Sequence, residues 1–167
     1  MSMAFRAWRF TTLLLILTAL LLPVSGFQMH YVEVNVGSGG DATVQVDYDL
    51  TWVEYMGVFL GIANPATELQ KALEEYSGAP VNVTAVSAES ATFHVDRFAR
   101  ISGDSGKRVF STPALNFSVA EEKLRSYWFA PFISPDLSPA VTVIRFPDGY
   151  AEIFQEESRI PAITHQI

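Results

Sequence analysis

Residues 31–52, YVEVNVGSGGDATVQVDYDLTW, contain the clearest structural pattern of the chain. Valines at alternate positions precede the turn-forming residues 37–41, and a second alternation of apolar and polar side chains follows from Ala42 to Trp52. A period of two residues is typical of a strand with one buried and one solvent-facing side. Glycine and aspartate tolerate the backbone conformations that reverse a chain. This stretch therefore predicts a β-hairpin with one buried face.

Similar patterns predict further strands along the rest of the chain. Short runs rich in β-branched and aromatic residues are separated by clusters of Gly, Pro, Asp and Ser, which favour turns. The predicted elements are a hairpin of residues 80–86 and 91–101, a strand at 107–112, and a hairpin of 141–146 and 150–154 around a tight turn at 147–149. An apolar tail, residues 160–167, follows.

Three segments favour helices. Residues 53–63 are apolar and fit a short buried helix, and Asn64-Pro65 is a typical start for a second helix that reaches residue 76. Ser118 and Glu121 have the spacing of a capping box, which predicts a third helix from 119 to about 128. The sequence thus predicts an α+β fold: an antiparallel β-sheet built from hairpins, with two or three helices packed on one face, preceded by an N-terminal hydrophobic signal helix.

The N-terminus has the organisation of an export signal. Arg6 and Arg9 precede an apolar run, and the small residues of 23–26 then offer a cleavage site after Gly26. The prediction is a signal peptide or signal anchor at 1–26 and a single exported domain at 27–167. An uncleaved anchor formed by residues 8–24 is the alternative, because that stretch reaches the lower length limit of a membrane span. The expected location is extracellular or at the cell surface.

Charge and cysteine content exclude several classes of protein. The chain of 167 residues has a net charge of -7, and its first 26 residues contain only two arginines as charged groups, so the remaining 141 residues carry -9. A nucleic-acid-binding protein needs a basic surface, so that function is not expected. With no cysteine, the chain has no disulfide and no thiolate metal site. Phosphate-binding and dinucleotide-binding motifs are absent from the sequence, so no cofactor is expected.

Polar residues within predicted strands are the first candidates for chemistry. His94 and Asp96 are two residues apart, so a strand places them on one face, where they are suited to metal binding or acid–base catalysis. Asp47 and Asp49 form an acidic strand face, with Asp41 near the preceding turn. Neither group has the spacing of a complete metal site. Solvated strand faces are the favoured interpretation of both, and no metal is expected.

Gly103-Asp104-Ser105-Gly106 resembles the core of the nucleophile loop of trypsin-like serine proteases. The resemblance covers four residues and ends at Lys107, where that family has another glycine. It would imply that Ser105 is a nucleophile, which requires a histidine and a buried acid nearby. A hairpin turn accounts for the same residues, and that interpretation is favoured.

The densest aromatic stretch, residues 127–133, is the candidate binding surface. A helix cannot bury every consecutive side chain, so Trp128, Phe129 and Phe132 are the candidates to dock a partner, a glycan or the membrane surface. Core packing is the favoured interpretation of the stretch. Two sequons, at Asn82 and Asn116, are candidates for N-glycosylation of an exported chain. The alternative interpretation is that both are ordinary solvent-facing asparagines.

These observations predict an exported or cell-surface, non-enzymatic binding or structural domain. Its expected partner is a protein or glycan at the cell surface, with membrane contact only through the N-terminal segment if that segment is uncleaved. One alternative is a small extracytoplasmic hydrolase or metal-binding enzyme that uses His94, Asp96 or Ser105. Another alternative is a membrane-anchored subunit of an envelope complex.

Overall fold

A computed structural model describes residues 28–49, 70, 74, 80–87, 89–104, 106–125 and 136–167. Along these residues the elements are β1 (Gln28–Val36), β2 (Ala42–Asp49), β3 (Val81–Val86), β4 (Ser90–Val95), β5 (Arg100–Ser102), β6 (Val109–Ser111), β7 (Leu115–Asn116), α1 (Phe117–Leu124), β8 (Val141–Arg145), β9 (Ala151–Gln155), β10 (Arg159–Ile160) and β11 (Thr164–Gln166).

The hairpin predicted from residues 31–52 is confirmed over β1 and β2. The two strands pair antiparallel, with Val34 opposite Val44 and Val36 opposite Ala42. The alternate valines of β1 are buried, and the Gly37 amide donates to the Asp41 carbonyl at 2.7 Å to close the turn. Alternation in the sequence therefore identified both the strands and their buried face.

The largest sheet is mixed rather than antiparallel. Its six strands lie in the order β3-β4-β2-β1-β8-β9. Every neighbouring pair is antiparallel except β1 and β8, which run parallel from Tyr31 beside Val141 to Asn35 beside Arg145. The prediction of a purely antiparallel sheet was wrong on this point, because a parallel pair joins segments that are distant in sequence and leaves no local signal.

The predicted α+β class, with two or three helices on one face, is also wrong: over the described residues the fold is β-rich and α1 is its one complete helix. In the described residues, the second layer comes from strands. Two small sheets, β11-β6-β5 and β10-β7, contribute Phe110 and Ile160 to the core cluster that contains Val34 and Ile144. Ile163, between β10 and β11, belongs to the same cluster. Apolar side chains of short strands bury the inner face that helices were expected to cover.

Two of the predicted helices are described only in part or not at all. Gln70 and Glu74 are helical, and the Gln70 side-chain amide donates to the Glu74 carboxylate at 3.0 Å, one turn away. The helix predicted at 53–63 lies outside the described residues. Among the residues that the structure does describe, no helix has the length and apolar character needed to cross a membrane.

The strand predicted at 91–101 is divided into β4 and β5 by a sharp bend. Arg97 has a left-handed backbone with φ of 53°, and its amide donates to the Asp41 carboxylate at 3.1 Å. Two residues later the Ala99 amide donates to the Gly40 carbonyl at 2.7 Å. The β1–β2 turn thus fixes the point at which the chain leaves the large sheet for the three-stranded one.

Helix α1 begins two residues earlier than the capping box predicted. Asn116 precedes the helix, and its Oδ1 accepts a hydrogen bond from the Val119 amide at 3.4 Å. Ser118 is already helical and therefore cannot be the N-cap. Asparagine is as good an N-cap as serine, so the competing cap at Asn116 explains the shift.

The apolar tail forms part of the core. Ile160 and Ile163 are buried, and β11 pairs with β6. Thr112, itself buried, exchanges hydrogen bonds with Ile163: its amide donates to the Ile163 carbonyl at 2.9 Å, and its Oγ1 accepts from the Ile163 amide at 3.1 Å. The C-terminal residues therefore belong to the same core as β1.

Glycine is required at Gly40 for two reasons, and we expect Gly40→Ala to be costly. Its φ is +90°, and an added Cβ would lie 2.5 Å from the Ala99 carbonyl oxygen. A left-handed backbone alone costs alanine about 1–2 kcal/mol. Gly149 has φ of +88° with no atom within 4 Å, so Gly149→Ala isolates that cost, and Gly106→Ala, also unhindered, is the neutral control. Urea unfolding should rank the losses Gly40 > Gly149 > Gly106; equal losses at Gly40 and Gly149 would contradict the close approach.

Thr142 has a buried hydroxyl that we expect to destabilise the protein. The residue is 1% exposed, and within the described part of the chain its Oγ1 has no hydrogen-bond partner. A buried, unpaired polar group costs about 1–3 kcal/mol. Thr142→Val keeps the shape and removes the hydroxyl, so its free energy of unfolding should equal or exceed that of wild type. Thr142→Ser, which keeps the hydroxyl and loses a methyl group, should be less stable; a loss of stability in the valine variant would refute the assignment.

Candidate functional site

Several predicted site residues cannot be compared with the structure. Trp128, Phe129 and Phe132, the candidate docking residues, lie outside the described residues, as does Ser105. The export segment at 1–26 lies outside them as well. These interpretations stay predictions.

His94 and Asp96 lie close together, as their spacing predicted, but on an open surface. Strand β4 ends at Val95, and the His94 Nε2 is 3.4 Å from the Asp96 Oδ1. Both side chains are about half exposed. Across the neighbouring strands, His94 is in register with Thr43 and Asn82. No group of three histidine, aspartate or glutamate side chains suited to a metal ion occurs among the described residues.

The predicted acidic strand face is present, and each of its carboxylates has its own partner. The Asp49 carboxylate lies 2.8 Å from the His30 Nε2, and the Asp47 carboxylate accepts from the side-chain amide of Gln45 at 3.1 Å. Asp41, at the turn, accepts from the Arg97 amide. The three carboxylates therefore do not converge on one point.

A groove opens at the end of the large sheet where β2 meets the β3–β4 turn, and we call it the β2 groove. Its volume is about 360 Å³, and it is lined by His30, Asp47, Tyr48, Asp49, Ser87, Glu89 and Ser90. It is open to solvent along one side. All but one of these side chains end in a carboxylate, an imidazole or an aliphatic hydroxyl, so the groove offers hydrogen-bond acceptors more than apolar surface.

A β-bulge explains how His30 reaches the β2 groove. Met29 pairs with Tyr48 and Tyr31 pairs with Asp47, which leaves His30 as the extra residue on β1. A bulge redirects the side chain of the unpaired residue. Sequence reasoning did not identify His30 as a site residue, because its proximity to Asp49 depends on this irregular register.

The floor of the β2 groove is held by a hydrogen-bonded turn. Tyr48 is buried, and its hydroxyl donates to the Ser87 carbonyl at 2.9 Å. The Ser87 Oγ accepts from the amides of Glu89 and Ser90 at 3.2 and 2.9 Å. Burial raises the pKa of Tyr48, which stays a neutral phenol. The backbone around the groove is thus fixed, whereas its carboxylates face solvent.

Polar side chains continue from the β2 groove across the outer face of the sheet. Tyr31 lies beside Asp47 on the neighbouring strand, and Glu33 forms an ion pair with Arg145 at 3.3 Å across the parallel β1–β8 pair. Burial, followed by the nearby Glu33 carboxylate, raises the pKa of Tyr31. The outer face around β1 and β2 therefore combines one aromatic ring with two carboxylates and one guanidinium group.

A second cluster joins the C-terminal strand to the β8–β9 turn. The His165 Nε2 lies 2.7 Å from the Asp148 Oδ2, and the ring of His165 stacks on Tyr150 with centroids 4.3 Å apart and planes 9° apart. Phe146 packs against the same imidazole at 4.8 Å. Histidine and aspartate are 17 residues apart here, so sequence spacing offered no signal. The contacts fasten β11 to the turn of the large sheet.

The aspartate of this second cluster is electrostatically perturbed. The hydrogen bond from His165 is the main cause that lowers the pKa of Asp148, and the Tyr150 amide adds to the effect. The pKa of Tyr150 shifts in the opposite direction. Its hydroxyl donates to the Glu152 carboxylate at 3.2 Å, and this carboxylate raises the pKa of Tyr150. In the described structure, every histidine therefore lies against one aspartate, at three separate places.

Comparison with protein-family models, with characterised proteins and with solved structures finds no match to this chain.

The His165–Asp148 contact makes a prediction about acid stability. Because the pKa of Asp148 is lowered in the folded state, the carboxylate stabilises the fold above the ordinary aspartate pKa, and this stabilisation is lost as the pH falls through the folded-state pKa. His165→Phe keeps an aromatic ring and removes the donor, so the pKa of Asp148 should rise toward the ordinary value of about 3.9. Carboxyl carbon chemical shifts measured by NMR against pH report it directly.

His94→Phe is the matched control, since that imidazole lies beside a different aspartate. It should leave the titration of Asp148 unchanged. An Asp148 carboxyl that titrates identically in wild type and His165→Phe would show that the imidazole is not the cause.

Proposed function

We propose that the protein is an exported binding domain without catalytic activity, and that the β2 groove is its binding surface. The observation that carries the proposal is the composition of that groove: Asp47, Asp49 and Glu89 stand around a single imidazole on a fixed backbone. Such a surface attracts groups that donate hydrogen bonds or carry positive charge. A protein partner with a basic segment is favoured over a glycan, because the domain itself is acidic and attracts cations over a distance.

The position of His94 and Asp96 favours binding over hydrolysis. His94 lies on β4 and Asp96 directly follows the strand, and the two pair with each other with both side chains open to solvent. A general acid or base works best in a site that excludes water and is close to the group that reacts. The hydrolase alternative therefore has less support than the binding domain.

Export is proposed on the sequence of residues 1–26, with their two arginines, apolar run and small residues before Phe27. Intact-mass measurement on protein from native cells tests it. A mature chain that begins at Phe27 in the medium or at the cell surface supports a cleaved signal, whereas full-length protein in the membrane fraction supports the anchored alternative. Full-length protein in the cytosol would refute export.

Binding through the β2 groove is tested by charge removal. Partners are cross-linked on native cells, identified by mass spectrometry, and their affinities measured with purified protein. Asp47→Asn and Glu89→Gln should each weaken binding about two- to fivefold, the effect of an exposed ion pair worth up to ~1 kcal/mol. Higher salt should weaken it further, because exposed charges are screened.

Asp96→Asn is the matched control, because it removes one exposed carboxylate at the opposite end of β4. It should leave the affinity unchanged. Equal losses in all three variants would indicate a general effect of net charge and would overturn the groove assignment. Binding that is insensitive to salt would contradict a basic protein partner and favour a neutral glycan.

A further inference from the structure

The two edges of the six-stranded sheet differ in their protection. A strand at a sheet edge has unpaired backbone groups that invite pairing with another chain, and natural proteins prevent this with charges, prolines, bulges or covers. Among the strands that the structure describes, β9 and β3 lie at the two edges.

Strand β9 is protected by charge and shape. Glu152 lies within the strand, and Glu156 and Glu157 follow it directly. Glu156 has a left-handed backbone with φ of 54°, which ends the extended conformation. Its amide donates a hydrogen bond to the Ala140 carbonyl at 2.9 Å. A second chain that approached this edge would meet three carboxylates.

Strand β3 has no such charge. Its sequence, VNVTAV, contains no charged residue and no proline, and four of its six residues are β-branched. Four positions are exposed: Asn82, Thr84, Ala85 and Val86. Within the described part of the chain, Glu74 contacts this edge at the first residue, where its carboxylate accepts a hydrogen bond from the Val81 amide at 3.4 Å. The bulge between Val83 and Ala85 interrupts the pairing with β4, but the strand keeps the composition of a segment prone to edge pairing.

Asn82 is an exposed residue of the β3 edge and lies in an N-glycosylation sequon. With Thr84 it forms the sequon Asn-Val-Thr. Among the described residues its side chain has no hydrogen-bond partner, and it lies opposite His94 in register. The Thr84 hydroxyl has a partner of its own, because it donates to the Thr92 carbonyl at 3.0 Å. The second sequon differs: Asn116 is half-buried and caps α1.

We propose that Asn82 carries an N-linked glycan that shields the β3 edge from pairing with a second chain. The proposal rests on the proposed export, since the modification occurs on the exported side of a membrane. In the reaction, the Asn82 Nδ2 attacks the anomeric carbon of a lipid-linked glycosyl donor. The new C–N bond replaces the C–O bond to the donor's phosphate, the lipid phosphate leaves, and the Nδ2 proton passes to a base of the transferase. The glycan then stands over the strand that lacks charge.

The test is site occupancy in protein purified from native cells. Trypsin releases Asn82 within residues 72–97 and Asn116 within residues 109–123, so each sequon is examined on its own peptide. We expect a glycan mass on the first peptide and an unmodified second peptide. Asn82→Gln should remove the added mass from the whole protein. Ser118→Ala, which destroys the second sequon and leaves the Asn116 cap, should not change it.

The shielding role is measured by light scattering at increasing protein concentration. Wild type and Thr84→Ser, which keeps both the sequon and the hydroxyl, should stay monodisperse, whereas Asn82→Gln should form dimers and larger species. Exported protein with an unmodified Asn82 would overturn the proposal and leave the export proposal intact. Unmodified protein in the cytosol would overturn both. Glycosylated protein whose Asn82→Gln variant remains monodisperse would overturn the shielding role.

Discussion

The described structure depends on the central position of β1. One edge of this strand pairs antiparallel with β2, and the other edge pairs parallel with β8, so both halves of the chain assemble on it. Its inner-face side chains Val32 and Val34 are 1% exposed, and Ile144 of β8 is fully buried beside them. The Glu33–Arg145 pair on the outer face joins residues 112 positions apart. Closing so long a loop costs entropy before any contact forms, so burial on the inner face must supply the stabilisation.

Local pairing could be predicted from the sequence, whereas long-range pairing could not. Alternation and turn residues identified the hairpins of β1–β2, β3–β4 and β8–β9, because each is built from neighbouring segments. The parallel β1–β8 pair has no such signal, although the run Thr142-Val143-Ile144, buried on both faces, is typical of a strand inside a sheet. The predicted α+β class was wrong because short strands, within residues 100–116 and 159–166, supply the second layer of the described core. Each of these strands has only two or three residues, which are too few to show the alternation that identifies a strand in the sequence.

The candidate site was predictable where it depends on spacing within one strand and was missed where it depends on register. His94 and Asp96 were found because two residues along a strand lie on one face. His30 reaches Asp49 only through a bulge in β1, and His165 reaches Asp148 across two different sheets. In both missed pairs the tertiary structure brings the groups together. Asp47 and Asp49 were identified as a face, but the β3–β4 turn that completes the groove beside them was not.

The distribution of acidic groups accounts for the different treatment of the two sheet edges. Charge at β9 repels a second copy at little cost, because Glu152, Glu156 and Glu157 lie far along the sheet from the acidic groove at β2. The same solution is less suitable at Asn82. This position is in register with His94, whose imidazole is 3.4 Å from Asp96. A carboxylate there would add to the negative charge around that imidazole, and an ammonium group would compete with it for Asp96. A neutral side chain disturbs neither partner, so bulk, as proposed for a glycan on Asn82, is a form of protection that is compatible with this pair.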